Sequence, residues 1–428
     1  MKQEAPIRQM LKTFNRRKNF LFCMPAHKGK ADKFDITELK GTDNLHDPDF
    51  SIKKSQEIAA KIFEAKKCFY VTTGSTTSIF IMLNAVKAFG KKIIIFKNSH
   101  KSVYNALKVF NIEPVIIERA EDIDKIDVNK TLGALITYPN YYGNCIDIEK
   151  FAKKLKEHNK LLLSDSSHGG HFNENLQLIN PNKYCDLCCF SGFKTLNGLT
   201  QGSYLLLNNL SLENNVRESF NLIHTTSPSY VILESLESAV LFLEEQKDNT
   251  QLINNINKLK NIDGLNFEKN DDIFKIVLNI ENLGISGYTA EKFLNSLRVY
   301  PEFADFNKVV FIASYYDTAK DFKKLEYSLN MLKSGIFPKE VIIKPEFYFE
   351  RKLDYLKAVN ANFKLTDIKE CEGKIAALNL GLYPPAVPII TAGEIITKEF
   401  CQYLHATKER FFNILDGKIK TVDTEEKL

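Results

Sequence analysis

Long apolar runs are missing from this sequence. No stretch approaches the roughly 20 apolar residues that a bilayer-spanning helix needs. The opening MKQEAPIRQMLKTFNRRKNF is polar and has no apolar signal core, so neither secretion nor a membrane span is expected. A strong charge excess is missing too. The formal charge is +5 over 428 residues, with lysines interleaved among acids, which argues against nucleic acid as a partner. A second cysteine pair is also missing. The chain has 8 cysteines and one Cys185-x-x-Cys188 spacing, but no further pair or histidines at ligand spacing follow it. A zinc site therefore lacks its ligands. Cys185, Cys188 and Cys189 lie in YCDLCCF, which reads as a buried strand with cysteine as a small core residue. Free thiols fit a cytoplasmic location. Internal repeats and low-complexity segments are absent from the sequence.

What is present is an alternation. Between residues 70 and 208, short runs that are apolar on both faces (KKIIIF, EPVIIE, LGALITYP, KLLLSD, YCDLCCF, SYLLLN) are separated by stretches with helical spacing, among them STTSIFIMLNAVKAFG and KSVYNALKVFN. Alternating strand and helix predicts an α/β fold, a mostly parallel sheet with helices on both faces. Residues 210–260 read as helices, the longest near SYVILESLESAVLFLEEQKDN. A smaller α/β unit follows, and the tail carries a proline cluster in LYPPAVP that marks a turn. The length allows two or three domains. The expected division is an N-terminal arm over 1–45, a large domain over 46–260, a small domain over 261–336 and a C-terminal region over 337–428.

In such sheets ligands bind beyond the carboxyl ends of the strands, and five polar clusters fall at such places. TTGSTTS (72–78) puts Gly74, Ser75 and Thr76 at a helix start, suited to an anion or to a plain N-cap. NSHKS (98–102) offers His100, able to stack on a flat ring or to cap a turn. TYPNYYGN (137–144) is another strand end. SDSSHGGHF (164–172) ends an apolar run on Asp165, followed by His168 and His171. A buried carboxylate is costly without a cationic partner. These three are possible metal ligands, but Gly169-Gly170 makes a loop rather than a helix face and no third carboxylate is placed, so no metal is expected. FSGFKTLNGLTQGS (190–203) holds Lys194, with Ser191 just before it. Lys194 is either a surface lysine at a strand end or an amine kept dry for Schiff-base chemistry. A phosphate cradle, a stacking histidine, a buried carboxylate and a lysine together match one cofactor, pyridoxal 5′-phosphate.

These stretches, with DITELKGTDNLHDP (35–48), HTTSPSYVILESLESA (224–239), YPEFAD (300–305) and YPPAVPIITAGE (383–394), resemble the Orn/Lys/Arg decarboxylases of the aspartate-aminotransferase fold, in their short bacterial form. The resemblance implies Lys194 as the Schiff-base lysine and Asp165 as the partner of the pyridine nitrogen. It also implies His168 beside the ring oxygen, His100 stacked on the ring, and Ser75, Thr76 and Ser191 on the phosphate. It implies a homodimer, with Thr226 and Ser227 reaching the neighbour's site, and α-decarboxylation of lysine, ornithine or arginine. Glu302 or Asp305 would meet the substrate's distal cation. Departures from the family pattern are Ser166 for a glutamate, Phe193 for a histidine, Leu378 for a glutamate and Ala386 for a glycine. They leave open another pyridoxal-phosphate reaction, such as transamination or elimination, or a catalytically idle homologue.

Overall fold

The computed structural model describes residues 4–17, 19–173, 176–338, 340, 347–407 and 410–423. Helices α1 (Pro6–Arg16) and α2 (Ser51–Ile62) precede β1 (Lys67–Val71). Strand and helix then alternate through α3 (Gly74–Val86), β2 (Lys92–Phe96), α4 (Lys101–Phe110) and β3 (Glu113–Ile117). They continue through β4 (Gly133–Thr137), α5 (Ile148–Glu157), β5 (Leu161–Asp165), β6 (Leu187–Ser191) and β7 (Ser203–Leu207). The strands form one sheet in the order β1-β7-β6-β5-β4-β2-β3. Strands β3, β2, β4, β5 and β6 run parallel, and β7 is antiparallel to both β6 and β1. Ile93, Ile94 and Ile95 on β2, Leu135 and Ile136 on β4 and every residue of β6 and β7 are buried. Consecutive buried residues point to opposite faces, so both faces are covered, as a parallel sheet requires.

The expected sheet is therefore present, with two differences. Strand β1 lies just ahead of the alternation read in the sequence. Strand β6 starts at Leu187 rather than in the run's first residues, because the Asp186 carboxylate accepts from Leu162 N (2.8 Å) and Asn209 Nδ2 (2.9 Å) and holds that approach as a turn.

Helices α6 (Glu213–Ile223), α7 (Tyr230–Glu245) and α8 (Thr250–Lys260) lead to a smaller unit. It contains β8 (Asn266–Phe267), β9 (Lys275–Asn279), α9 (Gly287–Ser296), β10 (Phe303–Ala304), β11 (Lys308–Ile312) and α10 (Ala319–Ser334). Its sheet is antiparallel, in the order β10-β11-β9-β8. The C-terminal part comprises α11 (Tyr355–Asn360), β12 (Phe363–Asp367), β13 (Leu380–Leu382), β14 (Val387–Ile390), α12 (Lys398–Thr407), β15 (Phe411–Phe412) and β16 (Lys418–Val422). Ile368, Leu380, Ile390, Ile396, Phe400 and Leu404 give it a core of its own. Among the described residues no helix is long and apolar enough to cross a membrane.

Polar contacts at defined points hold the outer parts to the large sheet. The buried Glu237 carboxylate on α7 accepts from Ile7 N (2.8 Å) and Arg8 N (2.9 Å), satisfying free amides at the start of α1. Glu113 does the same for α11, accepting from Tyr355 N (2.8 Å) and Leu356 N (2.9 Å). Lys97 pairs with Glu394 at 3.1 Å, and Lys101 N donates to Ala386 O at 2.9 Å.

Ala386, in the proline turn between β13 and β14, is buried at φ +67°. A Cβ in the left-handed region costs roughly 1 kcal/mol. Ala386→Gly is therefore expected to stabilise the protein by about that much, read as a higher guanidinium midpoint at unchanged slope. A lower midpoint would show that the Ala386 methyl contributes more through packing than its backbone conformation costs.

Candidate active site

Three neighbouring parallel strands end on polar residues at one edge: β4 on Thr137, β5 on Asp165 and β6 on Ser191. The ladder pairs Thr137 with Asp165 and Asp165 with Cys189. Asp165 is only 4% exposed. Its Oδ1 accepts from Ser167 N (3.2 Å), Ser167 Oγ (2.5 Å) and the Cys189 thiol (3.7 Å). All three donors reach the same oxygen, which leaves Oδ2 for the cavity that Asp165 helps to line. Ser191 Oγ and Thr137 Oγ1 are buried with no hydrogen-bond partner among the described residues. Two orphaned buried hydroxyls are costly unless a ligand supplies the missing partner.

Lys194 stands on a loop pinched shut at its base. Gly192 N donates to Gly202 O (2.8 Å), and Gly198 N donates to Gly192 O (2.7 Å). A Cβ at position 198 would lie 2.5 Å from Gly192 O, so only glycine permits this closure. The closure aims Lys194 back at the sheet edge. Its Nζ lies 3.1 Å from His168 Nε2. Burial, followed by the positive charge carried by the nearby lysines Lys194 and Lys275, pushes the His168 pKa well below the ordinary range, so its imidazole is neutral. Tyr141 packs edge-on against that ring, with centroids 5.4 Å apart.

His100 is the N-cap of α4; its Nδ1 accepts from Ser102 N at 3.2 Å and lies 2.7 Å from Ser102 Oγ. His100 therefore caps the helix and also lines the cavity. Gly74 opens α3, with Ser75 and Thr76 in its first turn. The free amides and positive dipole end of that turn suit an anion. Gly74, Ser75, Thr76, His100, Asp165, His168, Ser191 and Lys194 all line one cavity of about 280 Å³.

A second cavity of about 260 Å³ shares Phe193 and Lys194 with the first and adds Glu302, Asn197, Phe242, Tyr315 and Tyr316. Phe242 stacks on Tyr316 (4.9 Å, 17°). Asn197 Nδ2 donates to Tyr316 Oη (2.7 Å), while Asn197 Oδ1 is buried without a partner among the described residues. Asp305 lines neither cavity. Its carboxylate accepts from Tyr142 Oη (2.6 Å), Asn307 N (2.9 Å) and Lys308 N (2.7 Å) and so closes a turn. Thr226 and Ser227 are exposed, and Thr226 lies with Glu38, His46 and Arg217 in a separate surface cavity. Within one chain they do not join Lys194.

The potential metal ligands diverge. Asp165 is bound by Ser167, His168 faces Lys194, and His171 Nε2 lies 2.8 Å from Asp272 Oδ1, fully buried and stacked on Phe274. Ser166 turns its hydroxyl to Ser164 Oγ (2.7 Å) behind the strand end. Leu378 lines neither cavity. One site residue was not foreseen. Lys275, the first residue of β9, is 0% exposed, with Nζ 2.7 Å from His168 Nδ1. Its only mark in the sequence is a cation within the apolar run IFKIVLN.

The Orn/Lys/Arg decarboxylase major-domain model matches residues 5–127 and 119–277, and the C-terminal-domain model of the same family matches 338–417. The chain belongs to the Orn/Lys/Arg decarboxylase family. Membership makes it by class an amino-acid decarboxylase, a carboxy-lyase. It is 29% identical over 452 residues to the uncharacterized protein YaaO of Bacillus subtilis (strain 168), covering 94% of this chain and 93% of that one. It is 26% identical over 456 residues to an arginine decarboxylase of the same organism, again covering 94% and 93%. Among solved structures, the constitutive lysine decarboxylase of E. coli superposes with a TM-score of 0.79 at 17% identity, over 98% of this chain and 82% of that one. That likeness is one of fold, and the expected α/β architecture is borne out by it.

Burial, partly offset by Asp165 and reinforced by Lys194 and Lys101, lowers His100 from 6.5 to about 4. Its folded value lies below its unfolded one. Between these values the unfolded chain binds more protons, so stability is present above about pH 6.5 and is lost as the pH falls toward 4. His100→Asn is expected to flatten the stability–pH slope in that window by up to ~1.4 kcal/mol per pH unit, measured by urea unfolding at each pH. An unchanged slope would place the acid sensitivity on other groups.

Proposed function

We propose that the protein is a pyridoxal-phosphate-dependent α-decarboxylase of a basic amino acid (lysine, ornithine or arginine), releasing CO2 and a polyamine-type amine. The observation that carries this reading is the position of Lys194. It is a wall of both cavities, one whose lining suits an anionic ring cofactor and the other whose lining suits a cation.

The residues of the first cavity fit the cofactor. Its phosphate finds free amides and hydroxyls at the start of α3 and the orphaned Ser191 hydroxyl. Asp165 offers a buried carboxylate oxygen to a ring N–H, and His100 and His168 stand beside the ring space. When bound, pyridoxal 5′-phosphate supplies an electron sink for the pair released when a carboxylate leaves Cα. The protein's own work is to hold and to exclude. Lys194 holds the cofactor covalently, and Asp165 keeps a proton on the ring nitrogen through its charge. His168, neutral and hydrogen-bonded, orients the Lys194 amine. In the second cavity Glu302 supplies charge, Asn197 Oδ1 supplies an acceptor, and Phe242 and Tyr316 supply flat apolar walls. Together these match an ammonium or guanidinium on an aliphatic stem. Phe193 closes the side where the family has histidine. The assembly proposed is at least a dimer, whose second chain brings Thr226 and Ser227 to the site.

Four measurements test this reading. Borohydride reduction should fix the cofactor on Lys194, and Lys194→Ala should fold without forming the adduct; an adduct mapped to another lysine would refute the assignment. Asp165→Asn should retain the cofactor and lose turnover roughly 10²–10⁴-fold, the range for removing a key electrostatic partner. Glu302→Gln should raise KM for the basic substrate roughly tenfold or more with a smaller change in kcat, as expected for a lost charge-assisted hydrogen bond of about 1.5–3 kcal/mol. If mass spectrometry finds no amine from lysine, ornithine or arginine, the substrate class is wrong.

A further inference from the structure

Lys275 is a buried lysine for which neither the fold nor the reaction as described has a use. Its side chain is fully enclosed, and its passage is built for it: Gly143, at φ +86°, would place a Cβ 2.8 Å from Lys275 Cβ, so the stem packs where no side chain is possible. Its Nζ reaches His168 Nδ1 at 2.7 Å, and the opposite ring nitrogen, Nε2, meets Lys194 Nζ at 3.1 Å. A neutral imidazole has one N–H to donate and one lone pair to offer. Two ammonium groups cannot both donate to it. One amine must donate, and the other must accept and so must be neutral; at neutral pH the donating amine is the ammonium. Linked in this way, the two lysines share a single proton.

We propose that Lys275 is a positioning residue that takes up, through His168, the proton Lys194 sheds to become a nucleophile, and returns it when Lys194 must be acidic. In the transfer one proton leaves Lys194 Nζ for His168 Nε2, while the proton on His168 Nδ1 passes to Lys275 Nζ. The three groups keep one positive charge between them, and no bond to carbon changes. The surroundings suit the task. Burial lowers the Lys275 pKa to about 8, against the pull of the fully buried Asp272 and of Glu302, with a smaller push in the same direction from the Lys194 charge. On the imidazole side the other titratable groups are His100, His171 and Tyr141. The inference rests on the reading of Lys194 as the covalent residue.

The test uses the full chain freed of cofactor. Formaldehyde with cyanoborohydride labels free amines, and peptide mass spectrometry of the 190–203 segment reads Lys194 labelling against pH. Because the two lysines titrate as a pair, wild-type protein should show two inflections, the first at least one pH unit below the ordinary lysine value of about 10.4. Lys275→Met should abolish the early inflection and leave one at more alkaline pH, with about tenfold less label near pH 8 for every pH unit by which the inflection moves. A wild-type protein with a single inflection near the ordinary value overturns the proposal without any variant. So does a Lys275→Met profile that keeps the early inflection, whether labelling is full or uniformly reduced, since a purely structural role would lower the yield and leave the midpoint in place. Formaldehyde needs no phosphate site. A cofactor found on another lysine would therefore sink the cofactor reading without deciding this result.

Discussion

Parallel pairing of β4, β5 and β6 is the constraint on which the site depends. A parallel ladder brings the carboxyl ends of neighbouring strands to the same edge, and here the register sets Thr137 beside Asp165 and Asp165 beside Cys189. The apolar bodies of these strands are enclosed on both faces, so a side chain at their ends stands where burial stops but water is scarce. That position gives Asp165 its low exposure without the cost of full enclosure. Each remaining polar element reaches the edge from a different direction. These elements are the start of α3, the cap of α4, the glycine-pinched lysine loop and the first residue of β9.

Charge inside the site is arranged around one neutral ring. Lys194 and Lys275 on either side of His168 make a protonated imidazole costly, and a neutral imidazole polarises its two neighbours unequally. Asp272 and Glu302 both favour the charge on Lys275, and Glu302 also lines the cavity beside Lys194, whose other walls include Phe193, Phe242, Tyr315 and Tyr316. The difference between the two lysines is thus set by residues in the small unit. Through Lys275, the β9 sheet reaches the polar cluster at His168 and does more than support it.

The sequence made the large sheet legible because its strands are short, apolar on both faces and separated by helical spacing. The same pattern placed the polar residues at strand ends, and eight of the named residues line one cavity. Three features were not legible, each for a physical reason. Strand β1 carries no alternation of its own and is fixed by antiparallel pairing with β7, a partner more than a hundred residues away. Asp305 and Glu302 look equivalent in YPEFAD, but strand pairing at β10 makes one a turn closer and leaves the other lining the cavity that Lys194 also lines. Lys275 shows in the sequence only as one cation within an apolar run, because its burial arises from long-range packing against Gly143 and His168.

The carbonyl of Ala386 meets the amide of Lys101 one residue beyond His100, and Lys97 reaches Glu394 just before that helix begins. The far C-terminal part therefore grips the segment that carries one wall of the cavity. Free-energy coupling between two such events is reciprocal. If seating of this distal lobe draws His100 into place, then occupancy of the cavity must hold the lobe down by the same factor. Filling the site would then protect lobe amides from hydrogen exchange at a distance. Loosening the lobe would weaken the cavity's grip on its occupant with every residue that lines it unchanged.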